Sequence, residues 1–185
     1  GAVVMPEDIF DQKTRINAVG PSAKVSASPR KKDIDTIVDM ISASQRPLVL
    51  VGGALLSEAV SEEGVLSKLN TLAETYALPI CPTHRRPHLF DSHHPNYGGY
   101  MGIRVPGPLI DEMRKADLLI ALGERLTDTV SQSYTFPTAP QPQIPLVHVW
   151  PDANEVGRVW HPMLGIPASP KEVIEALLDL SLIHI

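Results

Sequence analysis

Apolar residues follow two patterns along the chain. Ile34, Ile37, Val38 and Ile41 recur at helical spacing behind Asp33, which predicts a helix of about three turns with Asp33 as its N-cap. Val65, Leu66, Leu69, Leu72, Ala73 and Tyr76 repeat the stripe. A second helix is therefore predicted from about Ser61, with Glu62 and Glu63 favourably placed in its first turn. Pro108 opens a shorter helical stretch carrying Leu109, Ile110 and Met113. Ser169-Pro170-Lys171-Glu172 opens a closing helix with Val173, Ile174, Leu177 and Leu178. Between these stripes lie runs that are apolar apart from Asp117 and His148: Pro47 to Val51, Pro79 to Pro82, Ala116 to Gly123, Leu146 to Trp150 and, more weakly, Leu164 to Ala168. Strands without polar alternation are covered on both faces. Their alternation with helices predicts an α/β fold: a three-layer, Rossmann-like parallel sheet of five or six strands with helices on both faces.

The front of the chain follows neither pattern. Ala2 to Met5 form an apolar run stopped by Pro6-Glu7-Asp8, which reads as the tail of a strand whose sheet lies elsewhere. Residues 9–32 are small, polar and proline-broken, the composition of an inter-domain linker. The expected layout is a remnant of a preceding domain over 1–8, a linker over 9–32, a nucleotide-binding-like domain over 33–181 and a tail over 182–185. A chain beginning at Gly1 in this way is expected to be excised from a larger protein.

Composition narrows the partners. A formal charge of -5 disfavours a polybasic nucleic-acid or membrane binder, so neither partner is expected. The single Cys81 can build neither a disulfide framework nor a thiolate zinc site, which suits a reducing, cytoplasmic compartment. No apolar run is long enough to span a bilayer, and no basic-then-apolar leader is seen. The 18 prolines fall mostly outside the periodic segments and predict long ordered loops.

In an open parallel sheet, ligands bind beyond the carboxyl ends of the strands. Gly52-Gly53-Ala54 can let a phosphate approach the backbone or can simply make a tight turn. Thr83-His84-Arg85-Arg86 can meet a diphosphate or form a solvated basic loop. Arg125 can hold phosphate, stack on a flat ring or pair with a neighbouring acid. Asp152 can accept from ribose hydroxyls or cap the turn into Asn154. The G-x-G-x-x-G fingerprint, the P-loop lysine and a G-x-S-x-G elbow are all missing from the sequence. His84, His88, His93 and His94 share one proline-rich loop but lack the spacing of a zinc site, so no metal is expected. Trp150 and Trp160 read as core or interface residues. No catalytic centre stands out.

Several segments together carry a resemblance. Pro47 to Ala54, Leu78-Pro79-Ile80, His94 to Gly99, Ala116 to Leu126 and His148 to Arg158 are similar, in order and spacing, to the central domain of thiamine-diphosphate-dependent enzymes of the acetolactate synthase-like kind. The likeness runs from about Asp33 to Leu180, and Val3 to Asp8 resembles the closing strand of that family's preceding pyrimidine-binding domain. The resemblance implies a parent of three α/β domains. The first carries a glutamate that activates the thiamine ring; the third holds the diphosphate through magnesium with a Gly-Asp-Gly signature. Gly-Asp-Gly does not occur in this sequence.

The chain is therefore expected to be inactive alone, within a parent that decarboxylates or carboligates 2-oxo acids. Its expected partners are the missing pyrimidine- and diphosphate-binding domains and further copies of itself. The family's central domain is a scaffold that in some members also holds FAD, through its ADP part, or free ADP. By position the contacts would be Gly52, Gly53, Thr83, Gly123, Arg125, Asp152 and Ala153. The chain departs from FAD-binding members at Ala54, Thr127, Thr129 and Trp150. The competing readings are a self-standing nucleotide-binding or electron-transfer flavoprotein domain and a purely structural domain. A sirtuin-like deacylase would need a four-cysteine zinc module, which one cysteine cannot supply.

Overall fold

The computed structural model describes residues 4–13, 15, 17, 20, 25–61 and 64–183. The apolar runs become five strands: β1 Pro47–Val51, β2 Ile80–Pro82, β3 Leu118–Leu122, β4 Leu146–Val149 and β5 Leu164–Ile166. Every neighbouring pair is parallel, in the order β2-β1-β3-β4-β5. Six α-helices accompany them among the described residues: α1 Glu7–Phe10, α2 Lys31–Ala43, α3 Gly53–Ser61, α4 Val65–Thr75, α5 Gly107–Met113 and α6 Pro170–Ile183.

Successive strand residues point to opposite faces, and each face has its own core. Val49, Val51, Ile120, Leu122 and Val147 meet Ile37 of α2, Leu55 of α3, Leu69 of α4 and Ile174 of α6. Leu48, Leu50, Leu119 and Ala121 meet Ile110 and Met113 of α5, with Leu126, Val130, Phe136 and Trp160 from loops. The layers are thus four helices, the sheet, and one short helix supplemented by ordered loop. Full burial of a side chain such as Leu69 or Leu50 stabilises by about 1.5–3 kcal/mol. The chain steps one way from β1 to β2 and back the other way from β2 to β3. Crossovers of one hand must then use opposite faces; α3 and α4 accordingly join the first core and α5 the second.

Two local expectations are corrected. The first long helix starts at Lys31, not Asp33, and Arg30 is its N-cap residue. Asp33 instead turns its carboxylate back onto the Arg30 guanidinium, with bonds of 2.9 and 2.8 Å. Ser61 ends a helix rather than beginning one. Gly53–Ser61 is helical, and α4 starts four residues later behind Gly64, whose φ of 87° is left-handed. Residues 62 and 63, expected in that first turn, lie outside the described residues. At the front, Val4 and Met5 are exposed and Glu7–Phe10 makes a single helical turn; residues 1–3 of the expected strand tail lie outside the described residues.

No sixth strand forms among the described residues. The β2 edge is instead covered by residues 96–101, which run parallel to it: Ile80 N donates to Asn96 O, Gly98 N to Ile80 O and Met101 N to Pro82 O, at 2.8–3.0 Å. A covered edge is not free to pair with another chain. Part of the expected linker is also docked. Ser169 N donates to Ala27 O at 2.8 Å, and Ser28 Oγ donates to Glu172 Oε2 at 3.1 Å. Ser169 caps α6 by accepting from Glu172 N. The buried Glu58 carboxylate completes that end, accepting from Ser169 Oγ and Lys171 N.

Candidate functional site

The strand order reverses between β1 and β3, so the loops leaving these strands diverge and open a crevice. A cleft of about 240 Å³ lies there, lined by Gly53, His84, Arg86, Glu124, Arg125, Thr127, Thr129, Val130 and Trp150. It draws on the turns after β1, β2, β3 and β4.

The glycines have different tasks. A Cβ on Gly52 would lie 2.2 Å from Glu124 Oε2 and 2.8 Å from Glu124 Cα, so this position must be bare for Glu124 to fit. Gly123 combines a φ of 69° with a close approach to the α3 backbone, its Cβ position being 2.9 Å from Leu55 N. Gly53 faces the cleft, and the Arg86 guanidinium lies over it, 3.6 Å from the position a Cβ would take.

Glu124 forms the floor and is 6% exposed. Its Oε2 lies 2.5 Å from Thr83 Oγ1, and its Oε1 accepts from Leu126 N at 3.1 Å. Burial drives its pKa above the ordinary carboxylate value, outweighing the Thr83, Leu126 and Arg125 hydrogen bonds and the nearby Arg86 charge. Thr83 is fully buried, and its hydroxyl also lies 3.0 Å from Val51 O. Behind this floor, His148 of β4 donates from Nε2 to Glu124 O at 3.1 Å, while its Nδ1 is buried without a hydrogen-bond partner. Burial pushes the His148 pKa down, outweighing the Glu124 carbonyl and the Glu155 charge.

The two cleft arginines differ in electrostatic state. Arg125 pairs with Glu155 at 2.9 Å and lies 5.8 Å from the centre of the Trp150 ring. Its hydrogen bond and charge hold Glu155 below the usual carboxylate range. Arg86 donates from Nη1 to Arg85 O, and its buried Nε has no partner. Among the described residues, no carboxylate lies within ion-pair distance of Arg86.

The structure brings Gly52, Gly53, Thr83, Gly123 and Arg125 to one end of the sheet, with Gly53 and Arg125 lining the cleft and the others behind it. Asp152 and Ala153 are exposed beyond β4 and do not line the cleft. Asp152 Oδ1 accepts from Asn154 N and Nδ2 at 2.9 and 3.0 Å, the turn-capping alternative. The histidines separate: His84 lines the cleft, His94 contacts Glu74 and His93 contacts Asp91. Sequence reading gave Glu124 no role and placed Trp150 in a core or interface. The one signal was position, which does not tell a buried residue from a solvated one: Trp150 is the first residue after β4 and Glu124 the second after β3.

These features define an open parallel α/β domain with its crevice at the strand reversal. The chain belongs to the family described as the thiamine pyrophosphate enzyme central domain, which matches residues 34–177. It is 27% identical over 186 residues to an acetolactate synthase of Mycobacterium avium, covering 97% of this chain and 28% of the relative. It is 28% identical over 181 residues to a probable acetolactate synthase large subunit of Methanocaldococcus jannaschii, covering 94% and 29%. Its fold is similar to that of the benzoylformate decarboxylase of Polynucleobacter necessarius, with a TM-score of 0.61 and 18% identity over 94% of this chain and 31% of the other. The chain thus spans less than a third of the length of each of these proteins. Among the described residues, no helix is long and apolar enough to cross a membrane.

Proposed function

We propose that the chain is the scaffold domain of a longer thiamine-diphosphate-dependent enzyme acting on 2-oxo acids, and that its crevice holds the diphosphate of an ADP-type nucleotide. Family membership and partial coverage of acetolactate synthases support the first part. The second is carried by one observation: the Arg86 guanidinium over bare Gly53, with no carboxylate paired to it among the described residues. A diphosphate oxygen is a suitable counter-ion for such a group. The fit is to a diphosphate rather than to a whole dinucleotide. The cleft is small, Thr83 spends its hydroxyl inside the protein, and Asp152 caps its own turn.

The reacting groups belong to other domains of the parent, the pyrimidine- and diphosphate-binding ones, where magnesium is held as well. Thiamine diphosphate supplies carbanion stabilisation when bound there. This chain contributes a rigid core and the surfaces on which those domains and further copies of the enzyme assemble. Calorimetric titration of the 185-residue chain with ADP and with FAD tests the nucleotide reading. Weak ADP binding is expected. Arg86→Ala should abolish it, and Arg125→Ala should weaken it less, because Glu155 already shares the Arg125 charge. A flat titration at millimolar ADP leaves the scaffold role alone.

A further inference from the structure

The geometry points to Glu124 as a proton-carrying partner of the cleft: an oxyanion binds beside Arg86 together with one proton on the Glu124 carboxyl. The inference rests on the nucleotide reading above and names how that site is controlled.

It starts from a shortage of hydrogens. The Thr83 hydroxyl has one, yet its oxygen lies 2.5 Å from Glu124 Oε2 and 3.0 Å from Val51 O. Val51 O already accepts the Thr83 amide at 3.1 Å and has a second lone pair to fill. With Glu124 ionised, Thr83 must donate to the carboxylate, and two oxygens then face each other across 3.0 Å with no hydrogen between them. With a proton on Oε2, Glu124 donates to Thr83 and Thr83 donates to Val51 O. All three oxygens are then used, and 2.5 Å remains within the range of an O–H···O bond.

The charges around the cleft give this proton a consequence. The groups facing it are His84 and Arg86 from the turn after β2, Arg125 after β3 and Glu124 itself; the α3 turn presents only Gly53. Glu155 stands behind Arg125, and His148 of β4 reaches Glu124 only through its backbone carbonyl. Arg125 shares the Glu155 carboxylate with Arg158, so its charge is partly met within the protein. Ionised Glu124 offsets Arg86 and repels an incoming phosphate. Protonated Glu124 leaves Arg86 as an unopposed cation, for which an oxyanion substitutes. Anion and proton therefore favour each other's binding, by linkage. Burial, which already raises the Glu124 pKa, works in the same direction.

The experiment is calorimetry of ADP binding to the full 185-residue chain and to Glu124→Gln, between about pH 5 and about pH 8, in two buffers of different ionisation heat. The introduced amide imitates the protonated acid in shape and charge. The two proteins differ only at residue 124 and meet the same ADP, so the difference between their profiles belongs to Glu124. Wild-type affinity is expected to fall up to about tenfold more per pH unit than that of the variant once the acid ionises, with extra uptake approaching one proton. ADP binding to both with identical pH slopes overturns the inference and leaves the nucleotide reading standing. Failure of wild type to bind ADP at every pH overturns both. Should Glu124→Gln not fold, the carbon-13 carboxyl shift of Glu124 in wild type replaces it. The titration is expected to move to higher pH on adding ADP, and an unmoved titration overturns the inference.

Discussion

One acid stands at each end of β3, and the two have opposite fates. Asp117, just before the strand, accepts from the Ser44 hydroxyl, from Gln45 N at 2.8 Å and from Arg46 N at 2.9 Å. Glu124, two residues after the strand, likewise meets a hydroxyl and a backbone amide. Yet the Ser44 and Gln45 bonds hold Asp117 below its ordinary pKa, while Glu124 is driven above its own. The donors are similar; the solvent is not. Asp117 is exposed and keeps its hydration, whereas Glu124 is buried, and desolvation outweighs its hydrogen bonds. The amino-terminal edge of the sheet thus uses an acid to close the turn between α2 and β1. The carboxyl edge keeps an acid whose charge is negotiable.

The largest effect should come from Gly52→Ala, which places a methyl group on the Glu124 backbone and carboxylate. A loss of about 3 kcal/mol in urea denaturation is expected. Gly107→Ala, with nothing within 4 Å of its Cβ position, should change little. A mild Gly52→Ala would mean that Glu124 can leave its place without penalty.

Next comes the pH profile of Glu124→Gln. Its folded-state pKa lies above the ordinary 4.5, so the folded chain holds this proton more tightly than the unfolded one. The resulting stabilisation is complete below about pH 4.5 and is lost as pH rises through the raised value. Denaturation midpoints of the wild type should therefore decline over that window relative to those of Glu124→Gln. Parallel profiles would remove the contrast with Asp117.

The smallest effect is expected of Asp117→Asn, and it has the opposite sign with pH. Because the Asp117 pKa is lowered, its contribution is present above about 3.8 and disappears as pH falls through the folded value. Melting curves at neutral pH should show a modest deficit for the variant that closes in acid.

The same contrast describes what the sequence reveals. Strands such as Leu118–Leu122, buried at every position, announce themselves as unbroken apolar runs, and α2, α4 and α6 by their stripes. Helix α3 does not, because Leu55 is buried while Leu56 and Ala59 also pack on the core, so no polar face marks a period. The second face is harder still. Leu126, Val130, Phe136 and Trp160 are core residues, but they stand in proline-rich loop with no spacing to link them. At the site, the glycine turns and Arg125 were legible as post-strand positions. Glu124 was not, because a charged residue after a strand is indistinguishable in sequence from a solvated one until the space around Gly52 is known. The alternatives for Asp152 were open for a related reason: an acid beside Asn can serve its own turn as readily as a ligand.

The two flanking helices carry a geometric implication. In this parallel arrangement α2 leads into the start of β1 and α6 follows the end of β5, so both run from the cleft edge to the far edge. The Ser28–Glu172 contact lies at the first edge, and the Tyr76 hydroxyl on Leu177 O marks the approach to the second. Polypeptide joined at the two ends would enter at one rim and leave at the other.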